Sequence, residues 1–212
     1  MRRLALALAT WLVAAAAVGE TLKTLNMSRP AEGVVSVTVK AGVGDVRIEG
    51  DAQGEIVVRV EVKSKNGFLF GDRQLRRDAE AAQIEARVSG DELVLSLGPE
   101  RHGDSHLVEH WTLRVPPSFS ASAKLGVGEI TVLDIAGDVG AELGVGDVRV
   151  EGTYQAFGDV NAACGVGDAS LRTPSGREQG EGFIGHTLTA HGPGKSAIRA
   201  HAGVGDVKIQ LR

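Results

Sequence analysis

Short alternating segments of apolar and charged residues follow a repeated Gly-x-Gly-Asp/Glu motif along this chain. After Asp147, Val148 and Val150 alternate with charged residues, and the same pattern recurs after Asp206. A period of two with β-branched residues on one side indicates a strand with one buried face. Glycine permits the positive φ or the close backbone approach that a corner between strands requires. The pattern therefore predicts strands that begin at glycine corners.

The glycine corners recur through the chain. The motif occurs at Gly42–Asp45, Gly126–Glu129, Gly144–Asp147, Gly165–Asp168 and Gly203–Asp206. Its second glycines belong to a finer series, at Gly128, Gly137, Gly146, Gly158, Gly167, Gly176, Gly185, Gly194 and Gly205. Most steps are of about nine residues, so about 18–21 residues would form a coil of two strands. Such coils would stack as parallel strands about 4.8 Å apart.

This repeat predicts an all-β protein, a single-chain β-solenoid or parallel β-helix, over residues 20–212. Residues 125–212 would form regular Gly-Asp repeat coils, and residues 20–124 a less regular part with strands and a hairpin. The elements expected in that part are strands over 34–40, 42–49, 55–63 and 107–115, a short helix around 72–83, and a hairpin over 84–97. Arg177–Glu181 departs from the pattern and predicts a bulge or loop.

The first residues predict an export signal over residues 1–19. Two arginines precede the apolar run Leu4–Val18, and small residues follow it. A retained N-terminal anchor is the alternative; the run is short for a membrane span, and none is expected in the mature chain. Removal of residues 1–19 would change the formal charge from −4 to −6, because the segment holds two arginines and no acid. An acidic exported chain is a poor candidate for binding nucleic acid, and Arg73–Arg77 is expected to be a solvated surface.

The motif itself has several possible interpretations as a site. The motif does not fit a phosphate loop, because the glycines of such a loop open a helix and these glycines open strands. Calcium-binding β-rolls need more oxygen ligands in each turn than this chain supplies. In stacked coils, the residues that directly follow these glycines would lie above one another at the corners. We call this stack the acidic column; it contains Glu129, Asp147, Asp168, His186 and Asp206. Either its carboxylates accept corner N–H bonds, which we favour, or they hold a cation.

No residue pattern predicts catalysis, a cofactor or a metal. Cys164 occupies a position that is small and apolar in the other repeats, which indicates a core residue. His106 and His110 share one strand face and would form half of a metal site, with no third ligand evident. None of the serines lies in a Gly-x-Ser-x-Gly motif, the nucleophile elbow of serine hydrolases. The outward residues Thr131, Arg149 and Ser170 show no concentration of acidic and basic groups such as a polysaccharide-cleaving cleft would need.

The segments "GVGDVRIEG", "GVGDVRVEG" and "WTLRVPPSFSASAKLGVGEITV" resemble the bacterial putative-adhesin family of β-strand-repeat domains. The resemblance covers most of residues 33–212. It implies a right-handed β-solenoid in an envelope or secreted protein, and the family supplies no catalytic residues to carry over to this chain.

Together these observations predict a non-enzymatic exported protein of the periplasm or the cell exterior that acts as an adhesin-like binding or assembly module. Its partner would be an envelope protein, a glycan, or a second copy joined through the uncapped last strand, Val207–Leu211. Two alternatives remain open: a calcium-stabilised structural module and a polysaccharide-active enzyme.

Overall fold

The computed structural model describes residues 20–65, 73–99, 107–180 and 185–212, and the predicted signal segment, His106 and Glu181 lie outside them. Within these ranges the chain is all-β with one short helix, which confirms the all-β part of the predicted fold. The strands are β1 (Thr21–Pro30), β2 (Ser36–Gly50), β3 (Glu55–Ser64), β4 (Gln83–Ser89), β5 (Glu92–Gly98), β6 (Leu107–Val115), β7 (Ser120–Leu133), β8 (Val139–Gly152), β9 (Phe157–Val166), β10 (Ala169–Thr173), β11 (Gly176–Gln179), β12 (His186–His191), β13 (Ser196–Val204) and β14 (Val207–Leu211). The helix is α1 (Arg73–Ala81), and a 3-10 turn spans Tyr154–Ala156. In these ranges no helix has the length and apolarity needed to cross a membrane.

Five parallel rungs form the centre of the sheet. Each rung has a first arm and a second arm, which meet at a Gly-x-Gly-Asp/Glu corner. Three rungs are the long strands β2, β7 and β8; the other two are the pairs β9–β10 and β13–β14. Their order in space is β2, β7, β8, β13–β14, β9–β10. The rung that comes last in the sequence therefore lies between the two rungs that precede it.

The predicted β-solenoid is not confirmed, because the sheet is not closed and the rungs do not follow one another in chain order. Only β7 and β8 stack as consecutive coils of the predicted kind, with Val127 beside Val145 and Ile130 beside Val148. The order of the rungs is not fixed by the repeat, because the backbone at each corner has nearly the same shape and can pack against any other corner. Glycine spacing thus determines the shape of a rung and leaves its position in the stack undetermined.

The last strand, Val207–Leu211, does not offer the uncapped edge that the sequence suggested. β14 pairs in parallel with β8 on one side, where Val207 is beside Val148, and with β10 on the other, where Val207 is beside Ala169. Both edges of the strand are therefore occupied by the chain itself. Self-association through Val207–Leu211 has no free edge to use.

Each corner shifts the buried face of the rung by one residue. In β8 the buried side chains before the corner are Val139, Ala141 and Leu143, and those after it are Val148 and Val150. The inward positions thus change from odd to even numbers. The second glycine of the motif makes this possible with a φ between 128° and 140° in all five rungs, a conformation that residues with a Cβ rarely adopt. The two arms can then turn their apolar sides to one common core.

The second glycines also stack on one another. A Cβ on Gly128, Gly146 or Gly205 would overlap a carbonyl oxygen of the glycine in the adjacent rung. The contacts run from Gly44 to Gly128, Gly146, Gly205 and Gly167, which is the order of the rungs. Close backbone approach and positive φ therefore both require glycine here, as the sequence predicts.

Further strands complete both ends of the stack: β5 and β6 still pair in parallel with β2, and the strands beyond them are antiparallel. Beyond β2, the hairpin β4–β5 continues the first arm and β6, β3 and β1 continue the second. Beyond the last rung, β12 pairs with β9 and β11 pairs with β10. The predicted hairpin, the short helix and the strands over 55–63 and 107–115 are confirmed. The bulge or loop predicted at Arg177–Glu181 is corrected, because Gly176–Gln179 forms a strand that pairs antiparallel with β10.

Candidate binding site

Two carboxylates of the acidic column at the corners accept bonds from the backbone. The strand registers place its carboxylates in the order Glu129, Asp147, Asp206 and Asp168, with Asp45 of the first rung before Glu129; His186, which the sequence placed within the column, lies beside Asp168 at its end. The N–H of Asp206 donates to Oδ1 of Asp147 at 2.9 Å, and the N–H of Asp168 donates to Oδ1 of Asp206 at 3.1 Å. Asp147 and Asp206 therefore accept corner N–H bonds, which is the interpretation that the sequence favours. Lys208 Nζ lies 2.9 Å from Oδ2 of Asp206 and, with the Asp168 N–H, lowers the pKa of that carboxyl.

A histidine lies at each end of the acidic column. His110 Nδ1 is 2.7 Å from Oδ2 of Asp45, and His186 Nδ1 is 3.4 Å from Oδ1 of Asp168. His186 also contacts the Gly167 carbonyl oxygen at 2.5 Å. In the part of the chain that the structure describes, no group of three or more His, Cys, Asp or Glu residues could hold a metal ion. Within the column, two N–H bonds join adjacent rungs, and they link Asp147, Asp206 and Asp168.

Cys164 lies on the buried side of β9, with 4% of its surface exposed. Its thiol donates a hydrogen bond to the Gly167 carbonyl oxygen at 2.9 Å, which closes the corner of its own rung. It is a core residue, as the repeat alignment predicts.

A shallow groove crosses the outer face of the first arms, and we call it the polar groove. Its volume is about 670 Å³. Ser122 of β7 and Gly140 of β8 lie side by side at its centre. A Cβ on Gly140 would come within 2.7 Å of the Ser122 Oγ, so the glycine leaves this part of the surface low. Longer side chains on the neighbouring strands form the walls, among them Glu92, Arg199 and Asn161.

The carboxylates of the polar groove are all bonded to other groups of the chain. Thr38 Oγ1 donates to Glu92 at 2.6 Å, and Lys124 Nζ contacts Glu142 at 2.7 Å. The Ala197 N–H donates to Oδ1 of Asp138 at 2.8 Å. Each of these bonds ties a carboxylate of the groove to another segment of the chain.

Several other polar side chains of the groove are uncommitted. Within the described ranges, no hydrogen bond or ion pair is made by the side chains of Ser122, Asn161, Arg199 and His201. Arg199 lies between Gly140 and Asn161 in the strand register. Hydroxyl, amide, guanidinium and imidazole groups are thereby brought together on adjacent strands, where they can donate and accept hydrogen bonds.

Sequence reasoning missed this groove because it depends on the rung order. Arg199 and His201 belong to β13, which lies between β8 and β9 although both of these precede it in the chain. The spacing of the glycines does not specify the order of the rungs, so it gave no signal for this groove.

A ridge of exposed valines runs beside the acidic column. Val127, Val145, Val204 and Val166 occupy the middle position of four motifs and are between 46% and 56% exposed. They stand on adjacent rungs because their motifs are stacked in register. The ridge is a direct product of the corner, where each valine stands between the two glycines of its motif.

Comparison with known proteins shows a likeness in structure. No family model matches the chain, and no curated protein matches it. A putative cell adhesion protein from Clostridium sporogenes is 17% identical with a TM-score of 0.50, over 90% of this chain and 100% of that chain. Putative adhesins from Bacteroides fragilis and Parabacteroides distasonis are 11% and 10% identical, with TM-scores of 0.35 and 0.28, each over 90% of this chain and 97% of that chain. The chain thus shares the fold of the Clostridium protein, which confirms at the level of fold the resemblance to bacterial putative adhesins.

Proposed function

We propose that this protein is a non-catalytic, exported binding module that holds a glycan in the polar groove. The observation that carries the proposal is the set of four uncommitted side chains, Ser122, Asn161, Arg199 and His201, on adjacent strands around one concave surface. Sugars present many hydroxyl groups, and each can exchange hydrogen bonds with such side chains. The groove is open along the face of the sheet, which suits an extended ligand.

A binding role accounts for the groove better than catalysis does. Glu92, Asp138 and Glu142 all accept hydrogen bonds or ion pairs from the chain itself. They fix the walls of the groove in place and leave the neutral and cationic groups to meet the ligand. Rigid strands hold these groups, and such preorganisation lowers the entropic cost of binding.

Export to the periplasm or the cell exterior is the second part of the proposal. Its support is the arrangement of arginines, apolar residues and small residues over 1–19. The Clostridium protein of the same fold is described as a cell adhesion protein, which agrees with a role at the envelope. Fractionation of cells that express the full chain tests this part: we expect the protein in the periplasm or medium, and retention in the cytoplasm would contradict it.

The glycan proposal is tested with a glycan array and the purified protein. We expect one class of glycan to bind, and we expect Arg199→Ala and Asn161→Ala each to weaken its binding about tenfold, as the loss of a hydrogen bond to a charged or polar group predicts. Arg77→Ala on α1 is the matched control, because this exposed arginine lies on a helix outside the groove. Absence of binding to every glycan, or equal affinity in Arg199→Ala and wild type, would contradict the proposal.

A further inference from the structure

A second concavity lies on the outer face of the second arms, and its lining is basic. We call it the basic pocket; its volume is about 230 Å³. Four of the side chains that line it are cationic: Arg149, Arg172, Arg177 and Lys208. Among the described residues, no carboxylate lines it. This concentration of positive charge runs against the net charge of the chain, which is −4.

The shape of the basic pocket follows from one short side chain. Ser170 of β10 lies beside Lys208 of β14, and Lys208 lies beside Arg149 of β8. Serine is much shorter than its neighbours, so the surface is low at Ser170 and high around it. The pocket therefore spans three rungs, and it exists only because β14 lies between β8 and β10.

Arg172 and Arg177 face each other directly across the antiparallel pair β10–β11. Both are exposed, and in the described part of the chain neither makes a hydrogen bond or ion pair. Like charges directly opposite each other on antiparallel strands are destabilising. Arg149 and Lys208 differ in this respect, because Arg149 Nε lies 2.6 Å from Glu151 and Lys208 Nζ lies 2.9 Å from Asp206.

We propose that the basic pocket binds a compact oxyanion, a sulfate or phosphate group, with Arg172 and Arg177 as its main ligands. The planar fork of a guanidinium matches the oxygen atoms of such a group and forms short, charge-assisted hydrogen bonds with them. Lys208, although paired with Asp206, adds a cationic donor to the lining, and the Ser170 hydroxyl adds a neutral one. The site is independent of the polar groove, since it lies on the other arm of the rungs and uses none of the same residues.

Titration of the isotope-labelled protein by NMR tests this proposal with three probes: sodium sulfate, glucose 6-sulfate and glucose 6-phosphate. Glucose and sodium chloride at equal ionic strength are the controls. We expect saturable shifts at the Ser170 and Lys208 amides, and binding at least about tenfold weaker in Arg172→Gln/Arg177→Gln. The double variant Arg73→Gln/Arg77→Gln removes the same charge from α1 and should bind as wild type does.

Binding of all three probes would show that the anion itself is recognised, and binding of the esters alone would identify a modified sugar as its source. Absence of saturable shifts with all three, or equal affinities in the two double variants, would overturn the proposal.

Thermal melting without added oxyanion at low ionic strength separates a binding role from a structural one. Arg172→Gln/Arg177→Gln removes a repulsive pair, so we expect its melting temperature to equal or exceed that of wild type. A marked fall in melting temperature would show that the two arginines stabilise the strands themselves, and it would overturn the assignment of a ligand site.

Discussion

The N–H of Asp206 donates to the carboxylate of Asp147 at 2.9 Å, across 59 residues of sequence. This bond joins the last rung of the chain to the third, and the bond from Asp168 to Asp206 joins it to the fourth. The inserted rung brings Arg199 to the polar groove and Lys208 to the basic pocket. Both candidate sites are therefore consequences of one topological feature.

The corner glycines should be intolerant of alanine. In Gly146→Ala the new Cβ would overlap the carbonyl oxygen of Gly128, and the residue would keep a φ of 128°. We expect the free energy of unfolding to fall by at least about 2 kcal/mol, or the protein to fail to fold. Urea denaturation measures the change. Gly42→Ala is the control, because a Cβ there has no heavy atom within 4 Å and should change stability by no more than about 0.5 kcal/mol. Equal losses in the two variants would contradict the stacking of the corners.

Acid should weaken the contact that Glu151 makes with two arginines. Arg149 first, and then Arg212, lower the pKa of the Glu151 carboxyl in the folded protein. A lowered carboxyl pKa stabilises the fold above the pKa of the unfolded chain, and this stabilisation is lost as the pH falls through the folded-state value. We therefore expect stability to decline as the pH falls below about 4.5, with a smaller slope in Glu151→Gln. Denaturation over a range of pH measures the slope, and Glu32→Gln on the surface is the control. A slope in Glu151→Gln that equals the wild-type slope would refute this assignment.

Calcium should leave the melting temperature unchanged. Calcium prefers six to eight oxygen ligands, and Oδ1 atoms of Asp147 and Asp206 already accept backbone N–H bonds. Melting curves in calcium chloride and in sodium chloride of equal ionic strength provide the comparison. A rise specific to calcium that Asp147→Asn abolishes would favour the calcium-stabilised module that the sequence left open.

Hydrogen exchange should show that β14 is a central strand. In a strand that pairs on both sides, successive N–H groups bond alternately to the two neighbours, so all are protected. We expect consecutive amides over Val207–Leu211 to exchange slowly. At β11, which among the described strands pairs only with β10, alternate amides should exchange quickly and provide the comparison. Alternate fast exchange along β14 would show that one of its edges is free.

The single thiol should react only when the protein unfolds. Cys164 is 4% exposed and its Sγ is bonded to the Gly167 carbonyl oxygen. A thiol reagent should label the native protein at a rate that rises with urea in parallel with unfolding, and label one thiol per chain at once in full denaturant. Rapid labelling in native buffer would mean that the buried side of β9 is open.

The geometry of each rung could be predicted from the sequence, and the order of the rungs could not. Alternation after Asp147 and Asp206 indicates strands with one buried face, and the glycines before them indicate corners; both are local properties. The order depends on which corner packs on which. Gly128, Gly146 and Gly205 make nearly the same backbone contact with the adjacent corner. Their spacing in the sequence therefore does not predict which corners are adjacent in the sheet.

The candidate sites were hidden for the same reason. Arg172 and Arg177 are close in sequence, but the strand that brings them face to face was expected to be a bulge or loop. Arg149 and Lys208 become neighbours only through the inserted rung. The outward residues Arg149 and Ser170 were both noted in the sequence, and a chain-ordered stack would have placed them side by side without Lys208 between them.

Disulfide trapping tests the inserted rung most directly. In a Cys164→Ala background, Arg149→Cys/Lys208→Cys places cysteines at directly paired positions on adjacent strands, within the reach of a disulfide. Arg149→Cys/Ser170→Cys places them on either side of β14, too far apart to bond. We expect mild oxidation of the folded protein to yield an intrachain disulfide in the first variant and none in the second. A disulfide in the second variant and none in the first would contradict the order of rungs on which both sites depend.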